Sequence, residues 1–225
     1  MGRIDLKTFT ISGRIGTLVA YTTIEGKQVY RKYTVPRDPK TPKQTAYRMK
    51  FGLVNKSLSR LNKVIKIGHK ERRNAYRSVI SHVLKHGVDG EYPNYKINYS
   101  EVQVSEGKLK LPSGLVATYK DELDAIQLTW NPRTENRSKF NNHNDKVNIV
   151  CYDESTGLTK NFFNVANSSD GVLVIDKFMI SGLEVSSTNE KPNIINRDNL
   201  HFWMYLSSDY YNANSSSWYI KTIVR

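Results

Sequence analysis

The side chains with the strongest chemical signal in this sequence are cations interleaved with aromatics. From Val29 to Gly52, the stretch VYRKYTVPRDPKTPKQTAYRMKFG sets Arg31, Lys32, Arg37, Lys40, Lys43, Arg48 and Lys50 against a single carboxylate, Asp38, with Tyr30, Tyr33, Tyr47 and Phe51 among them. Lys56, Arg60, Lys63, Arg72, Arg73 and Arg77 continue the series. Lysine and arginine release counterions when they neutralise phosphates, and exposed tyrosines stack on unpaired bases, so the pattern fits a polyanion and nucleic acid above all. The candidate contacts are Arg31, Lys32, Arg37, Lys40, Lys43, Arg48, Lys56, Arg60, Lys63, Arg72, Arg73 and Arg77. The plainer alternative is a solvated face, or a patch that meets an acidic protein surface. No helix-turn-helix, zinc-finger or ribonucleoprotein signature accompanies them.

Other reactive types fall short of a site. His82 and His86 have the i, i+4 spacing of a helical metal pair, but the zincin pattern needs Glu after the first His and Val83 stands there. Two surface histidines are expected. Cys151 lies inside the apolar run VNIVCYD, which predicts a buried, unreactive thiol. As the only cysteine, it also excludes an intrachain disulfide framework. The glycines of SGRIG lack the G-x-x-x-x-G-K-[ST] spacing of a phosphate loop. No Ser, His and Asp arrangement can be singled out. The expectation is a protein without catalytic residues, metal or cofactor, and not an enzyme.

The elements that must position the cations follow from periodicity. The formal net charge is +13; residues 1–110 hold 23 basic and 8 acidic side chains and residues 111–225 hold 11 and 13, giving +15 and −2. TLVAYTTIEGKQVYRKYTV reads as a β-hairpin, Thr17 to Thr23 and Gln28 to Val35, turning at Glu25 and Gly26. VPRDPKTP is an extended connector. It ends in a helix start with Thr41 as N-cap, Pro42 at the first position and Gln44 at the third. Tyr47, Phe51, Val54, Leu58, Leu61 and Ile65 then form one apolar stripe, and Lys56, Arg60 and Lys63 fall on the opposite face. Gly68 and His69 break the helix. A second amphipathic segment runs from about Lys70 to His86 and closes at Gly87, with Arg72, Arg73 and Arg77 in its first half, where cations oppose the helix dipole.

From Tyr95 onward the pattern is short β-like runs: YKINYSEVQVS, SGLVATY, AIQLTWNP, KVNIVCYD, LTKNFFNVA, GVLVIDKFMI, LHFWMYLSS and SWYIKTIV. This spacing predicts an antiparallel sandwich of immunoglobulin or fibronectin-III kind. The fold class is therefore α+β, an N-terminal β-hairpin plus two-helix basic module (residues 1–94) followed by a β-sandwich domain (residues 95–225).

The N-terminal half carries a resemblance. Gly13, Gly16, Gly26, Arg31, Pro39, Thr41, Pro42, Gln44, Arg48 and Phe51 resemble the pattern of domain-of-unknown-function family 6266, an uncharacterised family of Bacteroidetes proteins, and the later DKVNIVCYD and YLSSDYYNANSSSWY follow the same order. The resemblance implies architecture and organism class and lends no catalytic residue. The functional expectation is a non-enzymatic nucleic-acid or polyanion binder. Its alternative is a structural or assembly protein, a phage virion or surface-complex component with the sandwich as interaction module and a homo-oligomer or larger assembly as its state. MGRIDLKTFTISG has no apolar signal core and no run reaches membrane-spanning length, so no membrane partner is expected. The expected location is the cytoplasm, or the virion under the alternative.

Overall fold

A computed structural model describes residues 11–35, 37–120, 125–133, 144–175, 199–210 and 212–220. The chain divides into two compact units, Met1–Pro42 and Lys43–Arg225. In the first, β1 (Gly13–Ile15), β2 (Leu18–Thr22) and β3 (Gln28–Lys32) form an antiparallel sheet in that order. The hairpin falls where alternation places it, and the SGRIG glycines supply a third strand that the sequence pattern does not announce. Gly16 turns β1 into β2 at φ +57° and Gly26 turns β2 into β3 at φ +79°, conformations that cost an L side chain strain. Among the described residues, Ala20 alone is buried in this unit.

A helical run of 27 residues starts at Pro42, the last residue of the first unit, as the capping signal predicts, and otherwise belongs to the second unit. It comprises α1 (Pro42–Leu58), a 3-10 turn (Ser59–Leu61) and α2 (Asn62–Gly68). After a turn, α3 spans Ala75–His86. The expected second helix is therefore shorter than its amphipathic pattern, and Arg72 and Arg73 precede it. Gly87 has φ −112° and is not a left-handed cap. Packing is the reason for a glycine there, because a Cβ would lie 3.0 Å from Glu101 Cβ and 3.1 Å from Val83 Cγ1.

The first expected β run is mostly irregular. Val88–Asp89 (β4) pairs with Lys96–Ile97 (β5), and Tyr99–Glu101 forms a 3-10 turn. Asn98 explains the break: its side-chain carbonyl accepts the Ser100 amide and draws the backbone out of the strand. The strands that follow are β6 (Val116–Lys120), β7 (Ala125–Thr129), β8 (Lys146–Asp153), β9 (Thr159–Asn167), β10 (Val172–Ile175), β11 (Leu200–Ser208), β12 (Ala213–Asn214) and β13 (Trp218–Ile220). The ends expected for the GVLVIDKFMI and SWYIKTIV runs extend beyond the described residues. Among the described residues, one antiparallel sheet has the order β10-β7-β6, and a larger one has the order β12-β11-β8-β9 with β13 also on β11.

β8 and β11 are buried on both faces, which is why they read as continuous apolar runs. Side chains alternate along a strand. Val147, Ile149 and Cys151 on β8, with Phe202, Met204 and Leu206 on β11, share a core with Ile126, Leu128 and Ile175 of the smaller sheet. Val150, Tyr152, Trp203 and Tyr205 point the other way, into a second core with Val54, Leu58, Leu61, Ile65, Val79 and Val83 of the helices. The helices thus form a layer on the large sheet. Residues on both sides of position 94, where the sequence pattern divides, share this core among the described residues.

The end of α2 is tied to the β layers by hydrogen bonds. Gly68 O accepts from Ser105 Oγ at 3.0 Å, the Glu106 amide at 3.3 Å and Asn214 Nδ2 at 2.9 Å, and Asn214 Nδ2 also donates to Ile67 O at 3.0 Å. Helix-terminal carbonyls have no intrahelical donor, and these side chains supply one. The approach requires glycine: a Cβ on Gly68 would sit 2.1 Å from Val104 O. No helix among the described residues is long and apolar enough to cross a membrane.

Candidate nucleic-acid interface

All twelve candidate cations are exposed. Arg31 and Lys32 lie on β3, and Arg37 and Lys40 on the connector, so these four belong to the first unit. The other eight belong to the second. Lys43, Arg48 and Lys56 are on α1, Arg60 in the 3-10 turn, Lys63 on α2, Arg72 and Arg73 in the turn before α3, and Arg77 on α3.

Lys56, Arg60 and Lys63 follow i, i+4, i+7, which places them on one side of the helix, opposite the buried Val54, Leu58, Leu61 and Ile65. Among the described residues, no carboxylate ion-pairs with Lys56, Lys63, Arg73 or Arg77. Arg72 is partly neutralised, since it meets Glu106 Oε1 at 2.9 Å and also donates to Ser78 Oγ at 3.1 Å. The first turn of α3 has no acidic residue and Asn74 makes no side-chain cap bond there. Three guanidiniums near a helix N-terminus work against its dipole by a few tenths to about 1 kcal/mol.

The feature that lies outside any residue-by-residue reading is the composition of the whole helix. From Pro42 to Gly68 it holds seven cations (Lys43, Arg48, Lys50, Lys56, Arg60, Lys63 and Lys66) and no carboxylate; the chain has none between Asp38 and Glu71. A solvated helix normally mixes signs, because like charges four residues apart destabilise it by about 0.2–0.5 kcal/mol per pair. A count of acids over the predicted helix is the signal that exposes this.

A second group also escapes the sequence. His201, on β11, lies among four aromatic rings: Tyr99 stacks on it at 3.9 Å, and Tyr219, Trp203 and Tyr152 have centroids 6.1 to 6.3 Å away. Its Nδ1 is 2.8 Å from Tyr219 Oη, and its Nε2 is 3.5 Å from Glu154 Oε2. Burial holds the imidazole below its ordinary pKa, with the Glu154 carboxylate opposing. This group braces the seam between the helical layer and the large sheet. The alternation of β11 places His201 on the face of Trp203 and Tyr205, but nothing local identifies Tyr99 as its partner.

The remaining candidates stay apart. His82 Nε2 meets Glu101 Oε2 at 3.2 Å and its ring centroid lies 5.0 Å from that of His86. No group of three His, Cys, Asp or Glu among the described residues is placed to hold a metal ion. Cys151 is fully buried, and burial pushes its thiol up to about 12. A cavity of about 250 Å³, lined by Asn144, Asp145, Lys146, Ser208, Asp209 and Tyr210, contains none of the twelve cations.

Comparison with curated proteins finds no match. The model of a Family of unknown function (DUF6266) matches residues 10–172, which takes in the three-stranded sheet, α1, α2 and α3, and the described strands through the start of β10. The glycine turns, the Pro-Lys-Thr-Pro helix start and the long cationic helix all lie within that match, and the chain belongs to this family.

Proposed function

We propose that the protein is a non-enzymatic binder of nucleic acid or a related polyanion, with its long helix as the contact element. The observation that carries this reading is the acid-free run of seven cations on an element whose apolar face is held in a core shared with the large sheet. The two-helix basic layer, with Lys43, Arg48, Lys56, Arg60, Lys63, Arg72, Arg73 and Arg77 as contacts, is then displayed by an immunoglobulin- or fibronectin-III-like sandwich, and Arg31, Lys32, Arg37 and Lys40 are further contacts on the separate N-terminal unit. Lys56, Arg60 and Lys63 suit this role best, since they share one face of the helix and no carboxylate among the described residues ion-pairs with Lys56 or Lys63. Binding of this kind is mostly counterion release and carries little sequence preference. A cytoplasmic location, where nucleic acid is abundant, accords with it.

The test is a salt series with labelled DNA and RNA. Affinity should fall steeply with salt, and changing Lys56, Arg60 and Lys63 to Glu should weaken binding and flatten the slope by about one unit for each phosphate no longer neutralised. Weak binding that ignores salt, or a variant that binds like the parent, overturns the proposal.

A second reading has its own observation. The β1-β2-β3 sheet has almost no core, and Ile15, Leu18, Tyr21, Ile24 and Tyr30 are exposed on it. Small sheets need a packed face to be stable. An assembly role, in a virion or surface complex, would cover these residues. A large stoichiometric oligomer in nucleic-acid-free protein would favour it.

A further inference from the structure

The apolar stripe of the long helix is continuous in sequence but not in burial. Val54, Leu58, Leu61 and Ile65 are shut inside the core, whereas Tyr47 is 62% and Phe51 48% exposed, and no residue of α1 before Val54 is buried. The first three turns therefore overhang the core and present two aromatic rings four residues apart on one face. Lys43 precedes Tyr47 by four residues and Lys50 follows it by three, so both flank the same strip. Lys50 Nζ also lies 4.7 Å over the ring of Tyr95, which adds a third aromatic beside it.

From this arrangement we infer that the overhang is a stacking platform for single-stranded nucleic acid, with bases on Tyr47 and Phe51 and phosphates on Lys43 and Lys50. Charge selects the occupant. A second copy of this chain would bring its own acid-free helix of seven cations against the first, and like charge opposes that pairing. A single strand supplies both a π-face for each ring and a phosphate for each lysine. Geometry selects single strand over duplex. Residues four apart on a helix are separated by about 6 Å along its axis, against a rise of about 3.4 Å per stacked base. Bases can lie on both rings only if they are unstacked from each other, which a duplex does not allow. The strip lies on the side of the helix away from Lys56, Arg60 and Lys63, so duplex contacts there are independent of it.

The inference rests on the polyanion-binding reading, and one experiment separates the two. Anisotropy titrations of a fluorescent oligothymidylate and of a duplex of the same length compare the full chain, the Tyr47→Ala/Phe51→Ala variant and the Lys56→Glu/Arg60→Glu/Lys63→Glu variant, with circular dichroism confirming the fold. The ring variant should lose about tenfold or more in single-strand affinity, the range expected when stacking on aromatic rings is removed, and keep its duplex affinity and salt slope. Tyr47→Trp, with Phe51 intact, should bind single strand at least as well as the parent. Equal losses on strand and duplex, or no loss on either, overturn the platform while leaving the cationic face standing. Reduced self-association with unaltered single-strand binding also overturns it, and assigns the rings to a protein partner. If the unmodified protein binds neither oligonucleotide at low salt, both readings fall.

Discussion

Asn214 is the sharpest probe of how the helix is held. Its side chain is 2% exposed and its amide donates to Ile67 O at 3.0 Å and Gly68 O at 2.9 Å, the last carbonyls of the long helix. In Asn214→Ala both bonds go. Gly68 O keeps Ser105 Oγ and the Glu106 amide, so its loss is one net bond, about 1 kcal/mol. Ile67 O is only part-buried, so its lost donor costs a further net bond, again about 1 kcal/mol. The total is about 2 kcal/mol, and with a urea dependence of about 1–3 kcal/mol per molar the midpoint should drop by roughly 1 M. Asn214→Asp should be worse than alanine, because it points a carboxylate at two carbonyl oxygens in a buried place. Urea unfolding followed by tryptophan fluorescence and by far-ultraviolet dichroism reads both outcomes. The helices and the large sheet share a core, so the two signals should move together. A change below about 0.5 kcal/mol in the alanine variant, or an aspartate variant no worse than alanine, refutes the clamp. Separate transitions for helix and tryptophan signals refute the shared core.

Two further outcomes follow from buried titratable groups. Burial lowers the pKa of His69, against the Ile65 carbonyl and Glu106, and lowers that of His201, against Glu154 and Asp153, so both fold as neutral imidazoles. Stability should be whole above their ordinary value of 6.5 and be lost as pH falls from there toward their lower folded values, because the unfolded chain takes up the protons first. Urea midpoints should fall between about pH 7.5 and 5.5 and fall less in His201→Gln; an identical pH dependence in that variant contradicts the assignment. Cys151, with its thiol pushed up to about 12 by burial, should not react with a disulfide reagent in the native protein and should react once urea unfolds it. Rapid labelling of the native chain counts against the two-sided core.

The parts of this fold that depend on neighbours along the chain are legible in the sequence. The start at Pro42, the stop at Gly68, the β2–β3 hairpin and β8 all fall where local pattern places them. Asn98 is a local signal as well, and it puts a 3-10 turn where apolar alternation alone predicts a strand. What local pattern cannot carry is where an apolar face finds its cover. Val54 and Phe51 look alike on a helical projection, yet one is enclosed by strands far along the chain and the other overhangs them. The two-layer use of β8 is likewise hidden, since an unbroken apolar run fits either a buried strand or a buried helix segment. For the candidate contacts, exposure is legible from amphipathicity, whereas the Arg72–Glu106 pair is not, because it joins residues from different elements.

The cover of the long helix also arrives late. Its apolar face emerges from the ribosome well before Lys146 and Leu200, where β8 and β11 begin. At about 5–20 residues per second, synthesis leaves that face open for on the order of ten seconds. During this interval the chain is a cationic helix with one greasy side, and contacts so distant in sequence form slowly even when all strands are present. Whatever shields the helix in that window acts on the side chains of Val54, Leu58, Leu61 and Ile65, which the finished protein no longer displays.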